Sequence, residues 1–244
     1  MSLKKILSFC AVQTAVSILF ILPVYSQDTT YDPGKFTTGI ITVDGKPCKP
    51  TGNGGDTYLN SLKNRDVPPT SYDSAAFSDI LNKWEKDFPA GKGSSYYRLG
   101  KKSKWTNDQR KNVTGFESKG ISVEGYIIGI TPQGAEECNC GSKDFHDYHI
   151  WLSSTPLPQP EPKHPVKSNS IITEICPRIL KAHPNWNAKV IHDLAMQGSK
   201  MRISGWVTWD EELPEQLGID RATLWEIHPI HKIEVWSNGK WTKL

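Results

Sequence analysis

Six side chains able to bind a metal or move a proton recur at alternate positions in three β-rich stretches: Asp147 and His149, Glu174 and Cys176, Glu226 and His228. Residues two apart in a strand share a face, so each pair leaves its strand on one side. Carboxylates and imidazoles gathered on one face are what zinc or another divalent ion requires, and a metal so held acidifies a bound water for hydrolysis. Asp147, His149, Glu174 and His228 are therefore candidate metal ligands, with Glu226 the candidate catalytic base. The same residues have a plainer use. Asp147 with His149 would form a hydrogen-bonded pair, and Glu226 with His228 would pair across strands with Arg178, Arg202 or Arg221. No Ser-His-Asp order, phosphate-cradling glycine loop or dinucleotide fingerprint is recognisable.

A second chemistry rests on tryptophan. Trp151, Trp206, Trp209, Trp225 and Trp236 fall in strand-like stretches, and Arg202, Ser204 and Trp206 alternate along one face. An exposed indole beside a guanidinium stacks on bases or sugar rings. Trp206, Arg202, Trp151, Arg178 and Arg221 are the candidate binding residues for nucleic acid or glycan. Core packing is the competing use of these rings, and parity assigns Trp225 to the core.

These side chains need a scaffold, and the pattern from residue 118 onward supplies one. Strands are predicted from residue 120, over 146–153, 170–178, 200–209 and 222–236, with a helix over 185–198 between the third and fourth. Five strands with one helix in that place describe a mainly β protein built on an OB-like barrel. In that topology the third strand lies beside the second and the fifth, which brings the six chemical side chains into one patch. Pro229 lacks an amide donor and marks an edge or a bulge in the last strand. Such barrels host many unrelated functions, so the fold names a surface and not an activity.

Ahead of the barrel, residues 1–26 read as an export signal: Lys4 and Lys5, an apolar run from Ile6 to Val24, then Ser26. A retained membrane anchor is the alternative, disfavoured by Gln13, Ser17 and Pro23 within the run. The expected location is the periplasm or outside the cell. Residues 27–117 are expected to form an irregular, partly helical appendage to the barrel domain at 118–244. It holds a hairpin around Asp44-Gly45 and helices over 56–65 and 74–86, the second bearing Ala76, Phe77, Ile80, Leu81 and Trp84.

Charge weakens the case for one class of partner. Removing Lys4 and Lys5 with the leader leaves 27 of the 29 basic residues against 26 acidic ones, a net charge of +1. Non-specific nucleic-acid binding needs many lysines and arginines, so any such contact must be concentrated locally. Lys101, Lys102 and Lys104, and Arg110 with Lys111, are the densest clusters, and solvated loops are their plainer reading. Asn112-Val-Thr114 is a glycosylation sequon that matters only in a glycosylating host.

Four cysteines remain after the leader: Cys48, Cys138, Cys140 and Cys176. An even count in an exported chain suggests disulfides, and metal ligation is the rival. Three pairings stay open. Cys138 with Cys140 would close a strained ring, so a bridge from one of them to Cys48 or Cys176 is easier.

Several motifs resemble those of a group of exported bacterial proteins with an OB-like barrel and no assigned activity. They are Glu137-Cys-Asn-Cys140, Asp147-Tyr-His149, Glu174-Ile-Cys-Pro-Arg178, Gly205-Trp206 and Arg221-Ala-Thr-Leu-Trp-Glu-Ile-His-Pro229, with Gly55-Asp56 and Leu59-Asn-Ser-Leu-Lys-Asn-Arg65 upstream. The resemblance implies the barrel and export, and carries no chemistry across. Three functions therefore compete. The first expectation is a non-enzymatic binding module presenting Trp206, Arg202, His149 and Glu226 to a polymer. The second is a metal-dependent hydrolase of nuclease or phosphodiesterase type, and the third a structural or protein-interaction domain.

Overall fold

The computed structural model describes residues 31–84, 106–163 and 165–244, so residues 1–26, expected as an export signal, and Lys101, Lys102 and Lys104 lie outside the described residues. The side chains of Trp84 and Asn112 do so too. Chain order begins with a hairpin of β1 (Ile41–Val43) and β2 (Lys46–Cys48). Asp44 and Gly45 both take positive φ between them, as a two-residue hairpin turn demands. Helix α1 (Thr57–Lys63) follows, started by Asp56, whose carboxylate accepts hydrogen bonds from the Tyr58 and Leu59 amides. Pro68 and Pro69 end this stretch, and β3 (Asp73–Ala75) then runs parallel to the first barrel strand. The helix predicted over 74–86 is thus shortened from its start: Ser74 and Ala75 belong to β3, and a π-type turn occupies Asp79–Trp84. Helix α2 (Asn107–Glu117) leads into the barrel.

The barrel strands are β4 (Gly120–Pro132), β5 (Tyr148–Ser153), β6 (Ile171–Ile175), β7 (Lys200–Trp209) and β8 (Trp225–Ser237). They close in the order β4-β5-β6-β8-β7 and back to β4, with β6 and β8 parallel and the other pairs antiparallel. This is the OB-like barrel. Cys176 ends β6 earlier than the sequence suggested, because Pro177 opens a short helix, α3 (Pro177–Leu180). Helix α4 (Ala188–Met196) lies between β6 and β7, capped by Asn187 and stopped at Gly198 with φ +62°. Its Ile191 and Ala195 enter the core beside Ile121, Val123, Ile127, Ile203, Val207, Trp209 and Trp225.

Two features bend the walls. The register of β7 against β8 shifts around Gly205, opposite a β8 segment that contains the cis His228–Pro229 bond. A Cβ on Gly205 would lie 2.2 Å from the Pro229 carbonyl oxygen, so only glycine admits that approach. A ninth strand, β9 (Lys240–Lys243), pairs with the end of β8 and was not foreseen. Asn238 and Gly239, both at positive φ, make its turn, a dipeptide that signals a hairpin in the sequence.

Candidate functional site

The alternation of β5, β6 and β8 sends Ile150, Leu152, Ile171, Ile175, Trp225 and Ile227 inward and the titratable residues outward. The structure links five of the six predicted side chains, while the Cys176 thiol donates to Asn64 Oδ1 at 3.6 Å. His228 Nε2 lies 3.3 Å from Asp147 Oδ2, and its Nδ1 lies 3.6 Å from Glu174 Oε2 and 3.5 Å from Glu226 Oε2. His149 Nδ1 stands 3.9 Å from Glu174 Oε1, its ring stacked on Trp151 at 4.8 Å. Asp147 Oδ1 accepts a hydrogen bond from Asn139 Nδ2 at 3.1 Å. Glu226 is bridged to Arg221, whose Nε donates to the Thr223 carbonyl. Asp147 and His149, expected as a pair, each turn to other partners.

Burial and charge set the protonation of this group. Burial alone would lower the His228 pKa, yet Glu174, Asp147 and Glu226 raise it to about 10. Burial pushes Glu174 well above the carboxylate range, and Glu226 falls below it, against burial, through the Arg221 charge. Burial lowers His149 to about 4. The ligand-type atoms of Asp147, Glu174 and His228 all lie within 4.8 Å of one another, as do those of Glu136, Cys138 and Asp147. Among the described residues these two sets, which share Asp147, bring donor atoms close enough for a metal, and His149, expected as a ligand, belongs to neither.

On an open OB barrel this face would meet a ligand, whereas here the chain's own N-terminal segment covers it. Asn64 Nδ2 donates to the carbonyls of Pro50 and Cys138. Arg65, fully buried, donates to Tyr31, to the carbonyls of Leu62, Glu117, Val207 and His228, and to Thr208. Lys63 faces Asp210 at 3.5 Å and Glu212 at 3.3 Å. Its burial favours the neutral amine, but the carboxylates of Asp210 and Glu212 hold its pKa above the usual lysine value. The motif 59–65 therefore works as the plug of the face, a role its sequence did not disclose.

The candidate binding residues are distributed unevenly by this cover. Trp206 is buried beneath Phe36 at 4.7 Å, with Nε1 donating to the Val67 carbonyl. Arg178 is buried against Asp66 and donates to the Gly39 and Cys48 carbonyls and to Asn64. Arg221 is enclosed with Glu226, and Trp151 is held between His149 and Lys167 with Nε1 on the Asp220 carbonyl. His149 and Glu226 are likewise buried. Arg202 alone of the set reaches solvent, 27% exposed and bonded to Glu234 at 2.7 Å. Among the cysteines, Cys48 and Cys140 form a disulfide, and Cys138 and Cys176 are buried free thiols. Burial raises both thiol pKa values, so neither is an activated nucleophile.

Arg202 belongs to a different surface, the outer side of β7, β8 and β9. Trp236, 44% exposed, sits opposite Trp241 with ring centroids 5.1 Å apart in an edge-on arrangement. The Arg202 guanidinium lies 4.6 Å and the Lys200 ammonium 5.9 Å from the Trp241 ring. Lys240 and Lys243 are exposed on β9, and Lys232 lies alongside, paired to Glu234. Trp241 was missed from sequence because β9 was missed. Two clefts, of about 480 Å³ beside Val43, Lys46 and Cys140 and about 160 Å³ beside Pro69, Gly120 and Trp206, lie away from both groups. Comparison of this chain with known families, curated proteins and solved structures finds no match.

Proposed function

We propose that the protein is an exported, non-enzymatic binding module that engages an anionic polymer through the β7–β8–β9 face. The observation that carries this reading is the Trp236–Trp241 pair, 5.1 Å apart at the surface, with Arg202 over Trp241. Four basic side chains, Lys200, Arg202, Lys232 and Lys243, share its face, against Glu124 and Glu234. Indoles offer flat apolar faces to bases or sugar rings, and the cations neutralise phosphate or acidic sugar groups. Local concentration of charge answers the near-neutral total. The hydrolase reading finds less support, since its candidate ligands are buried under the 59–65 motif, where a substrate has no approach.

Single-stranded nucleic acid is the member of the ligand class to titrate first, by tryptophan fluorescence. Trp241→Ala should weaken binding by about tenfold, in line with ~1–3 kcal/mol per stacked base. Raising salt should weaken it further, because a few phosphates are neutralised. Binding of a neutral glycan without salt dependence would reassign the ligand, and a flat titration with nucleic acids and glycans alike would refute the proposal.

A further inference from the structure

We propose that Asp147, Glu174 and His228 form a closed site for a divalent zinc ion beneath the N-terminal segment, independent of the polymer-binding face. Their ligand-type atoms already lie within 4.8 Å of one another, drawn from the start of β5, from β6 and from β8. Three side chains from separate strands supply the carboxylate and imidazole donors that zinc takes.

A second observation points to a ligand. Glu174 Oε2 and both ring nitrogens of His228 are buried with no hydrogen-bond partner among the described residues, although each faces an oppositely disposed group at 3.3–3.6 Å. Leaving such groups unpaired is costly, and a cation held by Glu174 and one ring nitrogen of His228 removes that cost for both side chains. With Nε2 of His228 on the ion beside Asp147, Nδ1 faces the Glu226 carboxylate at 3.5 Å, the outer-shell arrangement that orients a metal-bound imidazole. Asn139 fixes Asp147 in the same way through its 3.1 Å bond.

The donors also select the metal. Imidazole among the ligands favours zinc over magnesium or calcium, which prefer all-oxygen shells. The Cys138 thiol, 4.0 Å from Asp147 Oδ2, places a soft donor beside the site. Acidic groups outnumber basic ones around it, with Asp147, Glu174, Glu226 and Glu136 facing His228, Arg221 and Lys63. Enclosure under the N-terminal segment keeps substrate from the ion, which would be loaded as the chain folds.

The test is elemental mass spectrometry on untagged chain folded in the presence of Zn²⁺, dialysed, and then melted with and without chelator. About one zinc per chain is expected, with Tm lowered by chelator and restored by Zn²⁺. His228→Gln and Glu174→Gln should each drop the zinc content to a trace. If those variants fail to fold, the wild-type content and its chelator response decide the matter. Trace zinc in the wild type with an unchanged Tm overturns the site, and so does full zinc retention in both folded variants, which would place the ion elsewhere.

Discussion

Arg65 shows how one side chain can fix a molecule's layout. Its guanidinium has five N–H donors, and its hydrogen bonds go to oxygens of Tyr31, Leu62, Glu117, Val207, Thr208 and His228. The cation also lies 4.8 Å from the Trp206 ring, so the N-terminal segment, α2, β7 and β8 meet at this residue. His231 Nε2 donates to the Arg65 carbonyl at 2.8 Å. Burial lowers its pKa to about 4, with Arg65 and His183 acting in the same direction and Asp66 and the Arg65 carbonyl opposing. The unfolded chain, with an ordinary histidine, binds that proton near pH 6.5. Its contribution to stability is therefore whole above pH 6.5 and is lost as pH falls toward 4. Urea unfolding at pH 7 and pH 5 should show a smaller loss for His231→Gln than for the wild type. An equal loss in both would assign the pH response to other groups.

Elements carry the next layer of control. The outer face of β7 is divided: Trp206 at one end is roofed by Phe36, and Arg202 and Lys200 at the other stay open beside β9. A hairpin turn of two residues, Asn238 and Gly239, is enough to add Trp241 opposite Trp236. Along the same pair of strands, Gly205 permits the close approach to the Pro229 carbonyl that shifts the register. Gly205→Ala should cost about 1–3 kcal/mol, the usual penalty for forcing atoms into a packed wall. A denaturant midpoint equal to that of the wild type would mean that the strand pair can spread at no cost.

At the scale of the whole molecule, the barrel and the segment before it form a joined unit. The Cys48–Cys140 bridge ties β2 to the turn ahead of β5 across a sequence separation of 92 residues. Asn64, Arg65 and Arg178 stitch the same halves with hydrogen bonds, and β3 adds itself to β4. Closing so long a loop restricts the unfolded chain, so Cys48→Ser with Cys140→Ser should lower stability by about 2–5 kcal/mol. Urea unfolding of the disulfide-bonded chain and the double variant measures this directly. Matching curves would show that the hydrogen bonds alone hold the cover in place.

Local pattern determined much of this fold. Alternation of apolar residues marked the five strands, Asn185–Gly198 marked the helix, and Asp44-Gly45 marked the first hairpin, because each depends on neighbours within a few residues. The grouping of Asp147, Glu174, Glu226 and His228 was legible too, once barrel topology put the third strand beside the second and the fifth. Local pattern could not reveal that the 59–65 motif would return, more than eighty residues away from β5, to cover that face. Trp206, Arg178, Trp151 and Arg221 read from sequence as ligand-binding residues, and their burial is decided by partners such as Phe36, Asp66, Asp220 and Glu226. Alternation tells which side of a strand a residue takes; only the closed chain tells whether that side meets water or another part of the protein.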